Sequence, residues 1–305
     1  MVRKILKVIL WIFLALVALV AVLAITNWDG IHRVMMGGVK VYETTPPVLP
    51  AQIKRPAVLV FSKTNGYRHE EAIPAANALF AQVAKDKDWG YFQTENGATF
   101  SPAILSRFDV VVFNNVSGDV FTPEQRAAFK AFLENGGGYV GIHAAGDNSH
   151  AAWDWYMKDI IGANFTAHTM FPQFPKATVR VEDAAHPATR GLPSSWQRTE
   201  EWYSFEKSPR TTGAHVLINV DEKSYNPKGI FGKDLRMGHH PMVWSRCVGK
   251  GRVLYSAFGH TAGAYSQPEN RSLLVNGLEW AARQTGDECG GATAAPQPGL
   301  AKGGK

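Results

Sequence analysis

Three short, almost wholly apolar runs, AVLVFS at 57–62, DVVVFNN at 109–115 and GGYVGIH at 137–143, are separated by segments of helical period. Apolar runs of this kind read as strands buried on both faces, and strands separated by helices of about a dozen residues build a parallel sheet covered on both sides. Between the first two runs, Ile73, Asn77, Phe80 and Ala84 fall on one helical stripe, and another strand is expected around Tyr91. Between the second and third, Thr122, Pro123 and Gln125 make a capping box with proline at the first helical position. Phe129, Phe132 and Leu133 form that helix's inward face, and Asn135-Gly136 ends it. The predicted class is α/β, a doubly wound, mostly parallel sheet with helices on both faces.

Beyond residue 150 the pattern loosens. It predicts an aromatic helix from Trp153 to Ile161, strands at ATVRVED and AHVLINV, and a tight strand pair in which VGKG joins PMVWSRC to RVLYSAF. A last helix, Glu269 to Gln284, turns Leu273, Leu274, Leu278 and Ala281 inward. No linker divides these halves, so residues 57–284 read as one domain.

Ahead of the domain, Val8 to Ile25 is an unbroken apolar stretch of 18 residues preceded by Arg3, Lys4 and Lys7. That is close to the roughly 20 residues that cross a hydrocarbon core, and the basic flank favours an N-in orientation. Residues 1–26 are therefore expected to be a transmembrane anchor or signal-anchor in the inner membrane, with the domain on the periplasmic or extracellular side. A cleaved signal peptide with secretion is the alternative. Residues 27–56, with PPVLP, read as a juxtamembrane linker, and the Gly-, Ala- and Pro-rich residues 285–305 as a disordered tail. The formal net charge of +6 includes the three leader cations, and no long basic run remains to bind nucleic acid. Cys247 and Cys289 are too few for a disulfide scaffold or a cysteine metal site, and a bridge between them is left open. Oligomeric state is not legible.

Ligands of open parallel sheets bind outside the carboxyl ends of the strands. Four strands end in polar residues: Arg68 and His69 follow the first, Asn114 and Asn115 end the third, His143 and Asp147 follow the fourth, and His260 follows RVLYSAF. The aromatic set Trp153, Trp155, Tyr156, Trp202 and Tyr203 suits a core, although Trp202 and Tyr203 could also stack on a sugar ring. His186 and His240 read as structural turn residues and His150 as a solvated loop residue. Gly136, Gly137 and Gly138 precede their strand and lack a following Lys-Ser/Thr, which excludes a phosphate loop. There is no G-x-S-x-G nucleophile elbow either.

The series GGGYVGIHAAGD, a W-x-W-Y helix, FTAHTMFP, HPATRGLP, TEEWYSF, HHPMVWSR and GKGRVLYSAFGH closely resembles the trehalose-utilisation ThuA-like domain family, a branch of the class I glutamine amidotransferase-like fold. The resemblance implies a flavodoxin-like sandwich and a link to sugar metabolism. Amidotransferases carry their catalytic cysteine at the corner occupied here by His143, so glutaminase chemistry is not expected. Matching polar positions brings in His69, His143, Asp147, His168, Glu201 and His260.

The expected activity is acid/base catalysis on a small carbohydrate, trehalose-like or a keto-sugar. In that expectation His143 is the acid or base, Glu201 its complement, and His168 and His260 are hydrogen-bond donors. Arg68, His69, Asn115, Asp147, Trp202 and Tyr203 are the expected substrate contacts. No cofactor is required. Two rival readings are a divalent metal held by His143, His168, Glu201 and His260, which lacks a local spacing motif, and a non-catalytic carbohydrate-binding module.

Overall fold

The computed structural model describes residues 2–35 and 37–286. The apolar runs form β1 (Ala57–Phe61), β3 (Val110–Asn114) and β4 (Gly138–Ile142), and β2 (Gly90–Thr94) is the strand expected near Tyr91. These four and β11 (Gly251–Ser256) run parallel in the order β2-β1-β3-β4-β11. β10 (Pro241–Val248) pairs with β11 as the expected hairpin, and β9 (His215–Val220), β6 (Lys176–Val181) and β7 (Ser195–Thr199) continue the sheet antiparallel. A separate pair, β5 (Phe165–His168) and β8 (Tyr203–Phe205), crosses the carboxyl-end loops and aligns His168 with Tyr203.

Two adjacent residues place the helical layers. Neighbours on a strand point to opposite faces. The Phe113 ring stacks on Phe129 of α5 (Pro123–Glu134) at 5.1 Å. Asn114 instead donates to the Asn77 side chain and the Ile73 carbonyl of α3 (Ala72–Asp86), both at 2.9 Å. So α3 and α5 cover opposite faces, as the sequence pattern requires. The short α4 (Pro102–Leu105) packs with α5, while α6 (Pro268–Ala281) packs on β4 and β11. The Thr122–Gln125 capping box is formed.

The aromatic segment departs from expectation. Tyr156–Ile161 is a π-helical turn closed by Gly162 at φ +70°. The Tyr156 hydroxyl donates to the Ala145 carbonyl at 2.6 Å and meets the Tyr139 hydroxyl at 2.5 Å, tying the wider turn to the loop after β4.

The N-terminal run is helix α1 (Val2–Thr26), long and apolar enough to cross a membrane by length and composition. Its 25 residues span roughly 37 Å at 1.5 Å per residue. The segment read as a linker is packed against the domain. It contains α2 (Trp28–Met35), whose Arg33 donates to the Thr64 carbonyl at 2.7 Å. The strap that follows is pinned where Lys63 bonds Val41 O and Glu43, Tyr42 bonds Asp119, and Gln125 bonds Glu43 O. At the other end, Arg252 bonds the carbonyls of Thr285 and Gly286, and the rest of the expected tail lies outside the described residues. Cys247 is disulfide-bonded; Cys289 lies outside the described residues.

Candidate functional site

β4 ends in a turn that His143 enters at φ +51°, a left-handed conformation uncommon for a residue with a Cβ. Its main chain is held there by the Tyr255 hydroxyl, which donates to His143 O at 2.8 Å. The His143 Nδ1–H donates to Ala257 O at 2.8 Å, which fixes the tautomer and aims Nε2 away from the sheet. Nε2 lies 3.1 Å from His260 Nδ1 and 3.4 Å from Glu201 Oε2.

His260 follows β11 through Gly259, whose φ of +120° and close approach to the Tyr265 hydroxyl leave no space for a side chain. Glu200 accepts the backbone N–H groups of Gly259 and His260, and Arg198 bonds the same carboxylate. Glu201 leaves the crossing between β7 and β8 in the other direction. Its Oε2 is 3.1 Å from His260 Nδ1 and its Oε1 is 3.1 Å from His168 Nδ1. Gln173 donates to Oε1 at 2.5 Å. Glu201 thus orients His260, while the His168 Nδ1–H donates to the Thr169 carbonyl at 2.9 Å with Glu201 Oε1 beside it, and among the described residues neither Nε2 of that pair has a hydrogen-bond partner. His69 closes the group with its ring edge-on to His143 and His260, at 4.8 and 4.6 Å between centroids.

The electrostatics follow from this packing. Burial would push the Glu201 carboxyl up, but hydrogen bonds and charge from His143 and His260 hold it well below the usual carboxylate range. Burial would likewise lower His143, and Glu201 outweighs it and raises the imidazole. His69 is pushed well below the ordinary histidine value, first by burial and then by the imidazoles beside it, so it stays neutral. Burial, reinforced by Glu201, raises the Tyr203 phenol.

Glu201, His260, His168 and His69 face a cavity of about 360 Å³ whose wall includes Tyr67, Asp147, Phe165, Gln173 and Tyr203. Arg33 of α2 also lines it. A cleft of similar size, about 370 Å³, lies at the opposite end of the strands against Arg55, Asp109 and Phe132, but it contains no imidazole.

Five expected site residues, His69, His143, His168, Glu201 and His260, thus meet in one place, with Asp147 and Tyr203 in the wall. Four expected roles change. His143 is fully buried and does not line the cavity, so it acts on Glu201 and His260 from behind. The Arg68 guanidinium is taken by Glu95, Glu70 and Thr64. Asn115 is buried against Tyr265 and Asn114. Trp202 is a core residue whose indole N–H donates to Pro175 O. His150, expected in solvent, is buried on the carbonyls of Val116 and Ala144. Sequence reasoning missed Glu200, Gln173, Tyr67 and Arg33; only Glu200 carried a signal, the doubled acid of TEEWY.

The fold is that of an α/β protein with a mostly parallel sheet, and His143 stands at the corner after β4. The family model described as "ThuA: Trehalose utilisation" matches residues 57–281, and the chain belongs to that family. A ThuA-like protein of known structure from Bacteroides uniformis is 28% identical, with a TM-score of 0.65 over 78% of this chain and 95% of that one. A second, from Parabacteroides merdae, is 17% identical, with a TM-score of 0.54 over 76% and 91% of the two chains, and shares the fold. No curated protein matches the chain.

Proposed function

We propose that this chain is a carbohydrate-active enzyme that moves protons on a sugar held in the 360 Å³ cavity, with α1 anchoring it in a membrane and the domain on the exported side. The observation that carries this reading is the seating of His168 and His260 on the two oxygens of Glu201. An Nδ1–H accepted by an oxygen, Thr169 O for His168 and Glu201 for His260, leaves Nε2 basic and directed beside the carboxylate, the arrangement general acid/base catalysis needs. Two such imidazoles supply one group to move the proton and another to polarise a carbonyl or leaving oxygen. In this reading His168, side chain 28% exposed, moves the proton, and the His260 end polarises. The Tyr67, Phe165 and Tyr203 rings beside Asp147 and Gln173 suit the apolar C–H face and hydroxyl rim of a sugar. The family's description, trehalose utilisation, points to the same substrate class.

The test is turnover of a panel of trehalose, other glucosides and their keto derivatives by the wild-type chain and by His168→Asn. The expected loss is about 10²–10⁴-fold in kcat. Undiminished turnover rejects the assignment, and tight sugar binding without conversion by the wild type identifies a binding module instead.

A further inference from the structure

We propose that His143 Nε2, His260 Nδ1 and Glu201 Oε2 hold one divalent first-row transition-metal ion, with His69 as the fourth protein ligand. The inference rests on the proposed sugar site and deepens it: the polarising end of that site is a metal ion, while His168 remains the group that moves the proton.

Geometry is the first argument. The three atoms form a nearly equilateral triangle with edges of 3.1, 3.1 and 3.4 Å. A regular tetrahedron with such a face has its centre about 2.0 Å from each corner, which is the length of Zn–N and Zn–O bonds. Read as one face of an octahedron, the same triangle is two imidazoles and a carboxylate with the remaining positions open.

The second argument is proton accounting. A hydrogen bond pairs one donor with one acceptor, so protons cannot satisfy all three edges of a triangle. If both nitrogens donate to Glu201, two N–H groups face each other across 3.1 Å. If His143 Nε2 is unprotonated, it meets Glu201 lone pair to lone pair, and a single His260 Nδ1–H serves only one of its own two edges. A cation at the centre satisfies every edge at once.

The surroundings fit. The His143 Nδ1–H bond to Ala257 O is the kind of outer contact that orients metal-binding histidines. His69 is 6% exposed, and among the described residues its buried Nδ1 has no hydrogen-bond partner. It brings a ring nitrogen within 4.8 Å of those of His143 and His260. The imidazole-rich donor set suits zinc, iron, nickel or copper rather than magnesium, calcium or manganese, which prefer oxygen ligands.

The experiment uses the full-length chain in detergent, purified without chelator, then stripped and titrated with Co(II) and Zn(II). One metal per chain by mass spectrometry and a visible Co(II) ligand-field spectrum are expected. Glu201→Gln and His69→Gln should each weaken Co(II) binding more than about tenfold. His215→Gln, on β9 outside the site, should leave it unchanged. Circular dichroism checks that the variants fold, and the wild-type spectrum needs no variant. Wild type that takes up neither ion, or Co(II) binding unaffected by Glu201→Gln, overturns the proposal. Sugar turnover that persists in metal-free protein and still depends on His168 overturns the metal while keeping the sugar site. One bound metal without sugar turnover or binding does the reverse.

Discussion

The Glu200 carboxylate accepts the backbone N–H of His260 at 3.3 Å and that of Gly259 at 3.0 Å, so the acid one residue before the cavity carboxylate positions the cavity imidazole. Its counter-ion Arg198 has a wholly buried side chain, and the two are joined at 2.5 Å. Removing one partner of a buried pair leaves a charge without compensation, at a cost of about 3–5 kcal/mol. Glu200→Ala should lose that much in urea unfolding. A loss below about 1 kcal/mol would show that water reaches Arg198.

Glu201 and His168 act as a unit in the proposed chemistry, and groups that act as a unit are not additive. Glu201→Gln/His168→Asn should turn over sugar no more slowly than the worse of the two single variants. Rates that multiply instead would mean that the carboxylate does not work through this imidazole.

Acid should destabilise the fold through His186, far from the cavity. Burial first, and then the neighbouring His215, lower its pKa to about 4 against the repulsion-relieving charge of Asp183. The unfolded chain takes up this proton near pH 6.5, so stability is fully present above that value and falls as pH drops towards 4. The difference corresponds to at most about 3 kcal/mol. His186 also caps the Pro187–Thr189 turn by accepting from Ala188 N. His186→Asn keeps a capping acceptor without a titrating ring. Unfolding midpoints from pH 4 to 7 should lose that part of their slope in the variant, and an unchanged slope refutes it.

The Tyr139–Tyr156 pair gives an asymmetric prediction. Tyr156 donates to Ala145 O and so must accept the Tyr139 proton. Tyr139→Phe removes one donor and should cost about 0.5–1.5 kcal/mol. Tyr156→Phe leaves both the Tyr139 hydroxyl and the Ala145 carbonyl unpaired and should cost more, about 1–3 kcal/mol for each stranded group. Equal losses in thermal or urea unfolding would contradict the bonding order.

The sheet was legible because its parallel strands are buried on both faces and therefore apolar throughout, and because Thr122 and Gln125 mark a helix start by local chemistry alone. β5, β7 and β8 were not. They are short, β5 and β7 are partly exposed, and the functional acids Glu200 and Glu201 sit in the break between β7 and β8. Strand ends pointed to His69, His143 and His260, while the family pattern added His168 and Glu201. What neither supplied was depth: position in a chain places Arg68, Asn115 and Trp202 beside the site, but their orientation is set by Glu95, Tyr265 and Pro175 from distant segments. The same blindness hid Arg33, which reaches the cavity from before the domain begins.

Arg33 is only seven residues past Thr26, no more than roughly 11 Å of helical rise. With α1 inserted in a bilayer, the cavity mouth is tethered close to the headgroup layer.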